Sequence, residues 1–357
     1  MAANANLNKA KNAKNDEFYT QLTDVAKELM HYTHHFKDKI VFCNCDDPTM
    51  SAFWKYFHLN FSALGLKKLI STHYDKTEPT YKMEYTGGDD NDIEVGVKTP
   101  LEGNGDFRNQ ECLDLLDEAD IVVTNPPFSL FREYVACLME HEKKFLIIGN
   151  INAVTYKDFF PLLKEKKVWL GVNEKGGTRK GNTMCFTVPD DFTGKTIDED
   201  GVPMARVPAW WFTNLDFAKR REKLILRKKY SPEEYPTYDN YDAINVNKVS
   251  EIPCDYYGVM GVPITYLDKH NPDQFEILGF TGGLGWNEQN DVQTTKEYVG
   301  AKQHNPDGSI TSGGKVNTSA VLKYDSIPAD RYYSVSNVNG YLRCTYGRIL
   351  IRKKVGS

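Results

Sequence analysis

Between residues 22 and 150 short apolar runs alternate with stretches of helical period, and that alternation admits few architectures. Leu22, Val25, Ala26, Leu29 and Met30 recur at three- and four-residue steps and predict a helix over 22–36. "KIVFCNC" (39–45) predicts a first strand, "AFWKYFHLNFSALG" (52–65) the helix after it, closed by Gly65, and "KKLISTHY" (67–74) a second strand. "TYKMEYTGGDDNDIEVGVK" (80–98) reads as a hairpin insertion turning at Gly-Gly. A short helix through Leu115 and Leu116, a strand Ile121–Thr124, a helix over 129–141 and a strand "KFLIIGN" (144–150) complete the series. The reading is an α/β fold with a mostly parallel, doubly wound sheet. In such sheets ligands sit in the crevice beyond the carboxyl ends of the strands.

Beyond about residue 165 the pattern changes to glycines, aromatics and short apolar runs, with "VWLGV", "TMCFTV", "AWWFTNL" and "FEILGF" as candidate strands. Residues 231–260 are rich in Tyr, Pro and Asn and read as a long irregular segment. The first 15 residues read as a flexible polar arm without an apolar signal core, and no run approaches the ~20 apolar residues of a membrane span. A cytoplasmic protein with no membrane contact is expected. Hydrophobic residues at 40% and charged residues at 26% suit a packed core. The seven cysteines are scattered without a Cys-x-x-Cys pair, so free thiols are expected and no metal.

The strand Ile121–Thr124 runs into Asn125-Pro126-Pro127-Phe128. Two successive prolines stop a sheet ladder, because neither carries an N–H. The Asn125 side-chain oxygen and a free backbone carbonyl of the Asn-Pro-Pro turn, that of Pro126, become acceptors on a stiff turn, and Phe128 adds a flat stacking face. Two fixed acceptors beside a face suit a planar group with an exocyclic NH2, the signature of amino-methyltransferases; a rigid turn closing a core strand is the plainer alternative. After the first strand, Cys45, Asp46, Asp47 and Pro48 stand where a cofactor loop belongs, without its usual glycines. Those carboxylates either hold a cationic amino group or cap the next helix. Asp106 and Phe107 in "GNGDF" are placed to meet an adenine amino group and ring, or form a simple Asx turn. "DEFYT" (16–20) brings aromatics and a hydroxyl ahead of the first helix.

Net charge is −5, yet "KRREKLILRKK" (219–229) carries seven basic residues against one acid, and the closing "GRILIRKK" adds more. A basic stripe on an acidic protein still meets phosphates, and a solvated helix face explains the charge equally well.

Taken in order, "KNDEFYTQ", "CNCDDP", "GDF", "TNPPFS", "FLIIGNINAVTY", "WWFTNLD", "YPTYDNYDAINVNKVSEIP" and "GRILIRKK" resemble the EcoRI-type adenine-N6 DNA methyltransferases, through most of the chain. The resemblance implies a Rossmann-like doubly wound methyltransferase sheet with a C-terminal, mainly irregular and β target-recognition region. It divides the chain into an arm (1–20), a catalytic domain (21–215) and a recognition region (216–357). It implies S-adenosylmethionine as cofactor, held by Phe18, Tyr19, Thr20, Cys45, Asp46, Asp47, Pro48, Asp106 and Phe107, with Asn125, Pro126, Pro127 and Phe128 catalytic. The substrate would be adenine flipped out of double-stranded DNA. Lys219, Arg220, Arg221, Lys223, Arg227, Lys228, Lys229, Arg348 and Arg352 are the candidate phosphate contacts. A separately encoded restriction endonuclease is a candidate partner. The competing readings are methylation of adenine in RNA or of a protein glutamine amide, which also present an NH2, and a DNA-binding protein that keeps the fold without turnover.

Overall fold

The structure, a computed structural model, describes residues 18–75, 79–283 and 287–356. The expected arm at 1–15, and Asp16 and Glu17 of "DEFYT", lie outside the described residues. The chain forms two compact units, one from Met1–Ala153 and Val168–Ala218, the other from Val154–Lys167 and Lys219–Ser357. No helix among the described residues is long and apolar enough to cross a membrane.

The first unit is built on one mixed sheet. Its strands in chain order are β1 (Tyr19–Thr20), β2 (Ile40–Cys43), β3 (Lys68–His73), β4 (Tyr81–Tyr85), β5 (Val97–Pro100), β6 (Ile121–Thr124), β7 (Lys144–Asn150), β8 (Trp169–Leu170), β9 (Thr183–Thr187), β10 (Thr196–Ile197) and β11 (Pro203–Thr213). The sheet order is β1-β9-β11-β7-β6-β2-β3-β4-β5, with β8 and β10 paired to β11. β7, β6, β2 and β3 run parallel, and the flanking pairs β7–β11 and β3–β4 are antiparallel. The expected mostly parallel sheet is therefore parallel only at its centre. That centre is where the sequence is continuously apolar: all four residues of β2 and of β6 are buried, as strands covered on both faces require. The hairpin expected as an insertion instead extends the sheet, because β4 pairs with β3 along its whole length and leaves β5 at the edge.

The helices are α1 (Leu22–Leu29), α2 (Ala52–Leu59), α3 (Phe61–Leu64), α4 (Gln110–Glu118) and α5 (Phe131–Glu140). The helix expected over 22–36 stops at Leu29, followed by a 3-10 turn at Thr33–His35. The helix expected over 52–65 breaks at Asn60 and ends on Gly65, which takes the left-handed conformation that a glycine C-cap supplies. α5 follows a 3-10 turn, Phe128–Leu130, and packs Phe131 so close to Gly149 of β7 that a Cβ there would enter the ring.

The second unit holds a four-stranded sheet, on which α6 (Phe160–Lys164) packs, and a five-stranded sheet. The strands are β12 (Ile244–Asn245), β13 (Val259–Pro263), β14 (Phe275–Thr281), β15 (Lys302–His304), β16 (Ile310–Ser312), β17 (Val321–Tyr324), β18 (Tyr332–Ser334), β19 (Tyr341–Cys344) and β20 (Arg348–Lys353). Their orders are β12-β13-β20-β14 and β16-β15-β18-β19-β17. Phe160 of α6 meets Phe280 of β14 (centroids 5.8 Å apart), and Lys164 reaches Asp291 at 2.6 Å.

Candidate active site

The apolar run of β6 ends at Thr124, and the chain leaves the sheet through Asn125-Pro126-Pro127 into the 3-10 turn at Phe128. One parallel strand over, β2 delivers Asn44, Cys45 and Asp46 to the same edge of the sheet. Asp46 ties the two loops together. Its carboxylate accepts from the Thr124 hydroxyl, from the Asn125 backbone N–H at 3.4 Å and from the Ser51 hydroxyl at 2.9 Å. Ser51 in turn caps α2 by accepting from Phe53 N and Trp54 N, at 3.0 and 3.3 Å. Cys45 N donates to Thr124 Oγ1 at 3.1 Å. Asp47 points elsewhere: it accepts from the Tyr81 hydroxyl and from Thr49, and lies 3.3 Å from His73 Nδ1. Pro48, next in the turn, is buried.

Burial raises the Asp46 carboxyl to about 6, against the three donors that favour its charged form. The folded chain thus holds this proton more tightly than the unfolded chain. The stabilisation it gives is full below the ordinary carboxylate value of 3.8 and is lost as pH rises through about 6. Between pH 4 and 7 the wild type is expected to lose about 2 kcal/mol relative to Asp46→Asn, at ~1.4 kcal/mol for each tenfold difference in proton affinity between the folded and unfolded chains. Denaturant melts of both proteins across that range measure it; a pH-independent difference would rule out the raised proton affinity.

Asn125 and Phe128 meet β1 and the residue before it. The Asn125 side-chain nitrogen donates to the Phe18 carbonyl, and the Phe18 and Phe128 rings stack with centroids 5.3 Å apart at 26°. Tyr19 and Thr20 are held by pairing with β9. Asp106 and Phe107 lie between β5 and α4, where Asn104 O accepts from Asp75 N just past β3. Gly105 is needed there: its φ is +73° and a Cβ would collide with the His73 carbonyl. Arg108 grips both oxygens of Asp106, at 2.9 and 2.7 Å, and its side-chain hydrogen bond holds the Asp106 carboxyl below the usual carboxylate range. Phe107 is buried edge-on against Tyr134.

Around these loops Thr20 Oγ1 and Asn125 Oδ1 are buried without a hydrogen-bond partner among the described residues, while Asn44 Nδ2 and the Tyr134 hydroxyl, on α5, lie within reach of each other without a well-formed bond. An unsatisfied buried atom costs about 1–3 kcal/mol, so Thr20 Oγ1 and Asn125 Oδ1 are candidates for contact with a polar ligand. An acceptor and a hydroxyl suit a ligand with polar edges, and the Phe107 ring, packed against Tyr134, offers a flat surface near Asn44. The sequence did not single out Asn44, Ser51, Thr124, Arg108 or Tyr134. Only Ser51 carried a local signal, a serine directly ahead of a helical run.

The basic candidates fall in the second unit, from Lys219 onward. The run 219–229 is not a helix face: one 3-10 turn, Ala218–Arg221, is followed by chain without helix. Lys223, Arg227 and Lys229 are exposed. Arg221 lies 3.7 Å from Asp273 and Lys228 3.8 Å from Glu234. Arg352 pairs with Glu276 at 2.6 Å, and Arg348 donates to Asn245 at 3.3 Å. Arg220 adjoins two cations outside the candidate set, Lys166 and Lys354. Burial, then the charges of Arg220, Lys166 and Lys354, push the neighbouring His270 down to about 3.

With this geometry in place, comparison with known proteins gives the class. A sequence model of the family described as "Adenine-specific methyltransferase EcoRI" matches residues 6–354, and the chain belongs to that family. It is 48% identical to the Type II methyltransferase M.EcoRI of Escherichia coli over 302 residues, covering 79% of this chain and 91% of that protein. It is 38% identical to the Type II methyltransferase M.MpnI of Mycoplasma pneumoniae over 320 residues, 89% of this chain and 97% of that one. M.MgeORF184P of Mycoplasma genitalium, also a Type II methyltransferase, is 39% identical over 281 residues, 76% and 85% of the two chains.

Proposed function

We propose that this enzyme transfers a methyl group from S-adenosylmethionine to the N6 amine of an adenine flipped out of a specific duplex DNA sequence, as the modifying half of a restriction-modification pair. The observation that carries the reading is Asn125 Oδ1, a buried acceptor without a partner among the described residues, on a loop whose next aromatic is Phe128. Thr20, Cys45, Asp106 and Phe107, with Asn44 and Tyr134, are the groups to hold the cofactor. Asp46 braces the catalytic loop through Thr124 and the Asn125 N–H, and Asp47 and Pro48 shape the same turn. When bound, the cofactor supplies an electrophilic methyl group on a positive sulfur.

The N6 lone pair of adenine is delocalised into the ring, so the amine is a poor nucleophile. Asn125 Oδ1 and the Pro126 carbonyl accept its two hydrogens and draw the nitrogen toward tetrahedral geometry, which localises the lone pair for in-line displacement. Pro126 and Pro127 hold both acceptors before the base arrives, so alignment supplies much of the rate, up to ~7–11 kcal/mol, and preorganised acceptors add an electrostatic part. After transfer N6 releases a proton to water. Phe128 stacks on the extruded base, worth ~1–3 kcal/mol, and offsets part of the few kcal/mol that flipping costs.

We read the central parallel strands with their helices as a Rossmann-like doubly wound methyltransferase sheet, with 21–215 catalytic and 216–357 recognising the target. Lys219, Arg220, Arg221, Lys223, Arg227, Lys228, Lys229, Arg348 and Arg352, joined by Lys166 and Lys354, are the phosphate contacts. The test is to incubate the purified protein with labelled S-adenosylmethionine and duplex DNA, RNA or protein, and to map modified bases in DNA from expressing cells. N6-methyladenine at one short sequence is the expected result. Label entering RNA or glutamine instead, or bound cofactor without transfer, would overturn the assignment.

A further inference from the structure

A carboxamide has two ends that differ only in which way it is turned. Turned wrongly, Asn125 would set its own NH2 against the amine of the base, donor against donor. Its orientation is fixed from outside the loop: the Phe18 main-chain carbonyl can only accept, so the Asn125 nitrogen must face it, and Oδ1 is left for the substrate. Phe18 is itself held tightly. It precedes β1, whose residues pair Tyr19 with Thr187 and Thr20 with Phe186 of β9. Its ring is buried, stacked on Phe128 and set edge-on to Phe186 and Phe192 at 5.7 and 5.6 Å.

We infer that Phe18 is a positioning residue of the reaction: its carbonyl sets the catalytic amide, and its presence makes position 125 selective for asparagine over aspartate. A carboxylate at 125 has no N–H to give. It would press an oxygen against the Phe18 carbonyl, with the Asp46 carboxylate already at the backbone N–H of the same residue. The side chain would turn away, and the acceptor would leave its place beside Phe128.

This inference rests on the methyltransferase reading, and Asn125→Asp separates the two. If accepting the N6 hydrogens were all that mattered, a carboxylate, with two strong acceptor oxygens, would serve as well as the amide. If Phe18 orients the group, Asn125→Asp loses kcat by ~100-fold or more, the scale of one misplaced preorganised hydrogen-bonding group. The KM for duplex DNA and the affinity for S-adenosylhomocysteine by calorimetry are expected to stay within about threefold. Phe18→Ala provides a second arm. It keeps the carbonyl but removes the ring that anchors it, and is expected to lower kcat ~10-fold with little change in KM, while Phe18→Tyr restores the rate. Wild-type kcat in Asn125→Asp, or in Phe18→Ala should the first variant not fold, overturns the inference while wild-type activity on DNA leaves the methyltransferase reading intact. A wild-type protein that methylates no DNA defeats that reading instead.

Discussion

Asn125→Ala is expected to lower kcat by at least ~10²–10³-fold while cofactor affinity stays near that of the wild type. The alanine removes the loop's side-chain acceptor, which is buried and without a partner among the described residues, and one preorganised polar group in a transition-state site is worth about that factor. The rest of the loop should persist. Thr124, which holds Asp46 and Cys45 N, is unchanged, and so are the two prolines and the backbone N–H of residue 125. In the mechanism proposed above the loss belongs in kcat, because there the interaction strengthens only as N6 pyramidalises. Single-turnover methylation of duplex DNA with saturating cofactor, beside calorimetry with S-adenosylhomocysteine, separates the two quantities. Turnover at the wild-type rate would remove Asn125 from the mechanism.

The second large effect concerns stability. Glu28 of α1 is buried, and its carboxylate accepts from Val172 N at 2.6 Å, Asn173 N at 2.9 Å and the Tyr32 hydroxyl at 3.0 Å. Burial lifts its pKa to about 7 in spite of these donors. The approach is so close that a side chain at Gly171 would strike it. Glu28→Ala leaves three donors without an acceptor and is expected to cost ~3–5 kcal/mol, at ~1–3 kcal/mol per orphaned group with partial relief from water. At ~2–4 °C per kcal/mol for a unit of this size the melting temperature should fall by roughly 10 °C. Glu28→Gln, which keeps one acceptor oxygen, should lie between. Calorimetric scans of the three proteins at pH 8 decide it, and a melting point for Glu28→Ala within a degree or two of wild type would show that the carboxylate is not holding this corner.

The parts of the fold that the sequence displayed are those whose cause is local. β7 spans the same residues, 144–150, that its apolar run marks, and Asn125-Pro126-Pro127-Phe128 follows a buried strand as its composition requires. Elements governed by distant partners were not displayed. Asp46 meets Thr124 across 78 positions, and no local pattern announces that a carboxylate will brace the neighbouring loop rather than cap a helix or hold a ligand. Glu28, on an amphipathic helix, looks like an ordinary polar position until the chain returns at Val172. The antiparallel flanks of the sheet follow the same rule. β11 pairs with both β7 and β9, a choice made by the tertiary fold and not by the residues of any one strand. The run 219–229 misled in the other direction, since its charge suggested a helix face but its length of chain past Arg221 has no helical ladder.

One point of connectivity bears on how such enzymes could be recombined. Residues 154–167 leave the first unit, supply α6 to the second, and return before β8. The polypeptide therefore crosses between units three times, and a single cut near residue 218 leaves the C-terminal piece incomplete, because it lacks the helix that packs on Phe280 and pairs with Asp291. Exchanging the second unit between relatives means exchanging two stretches of gene together, and a chimera carrying only the downstream stretch would inherit a mismatched helix against Phe280.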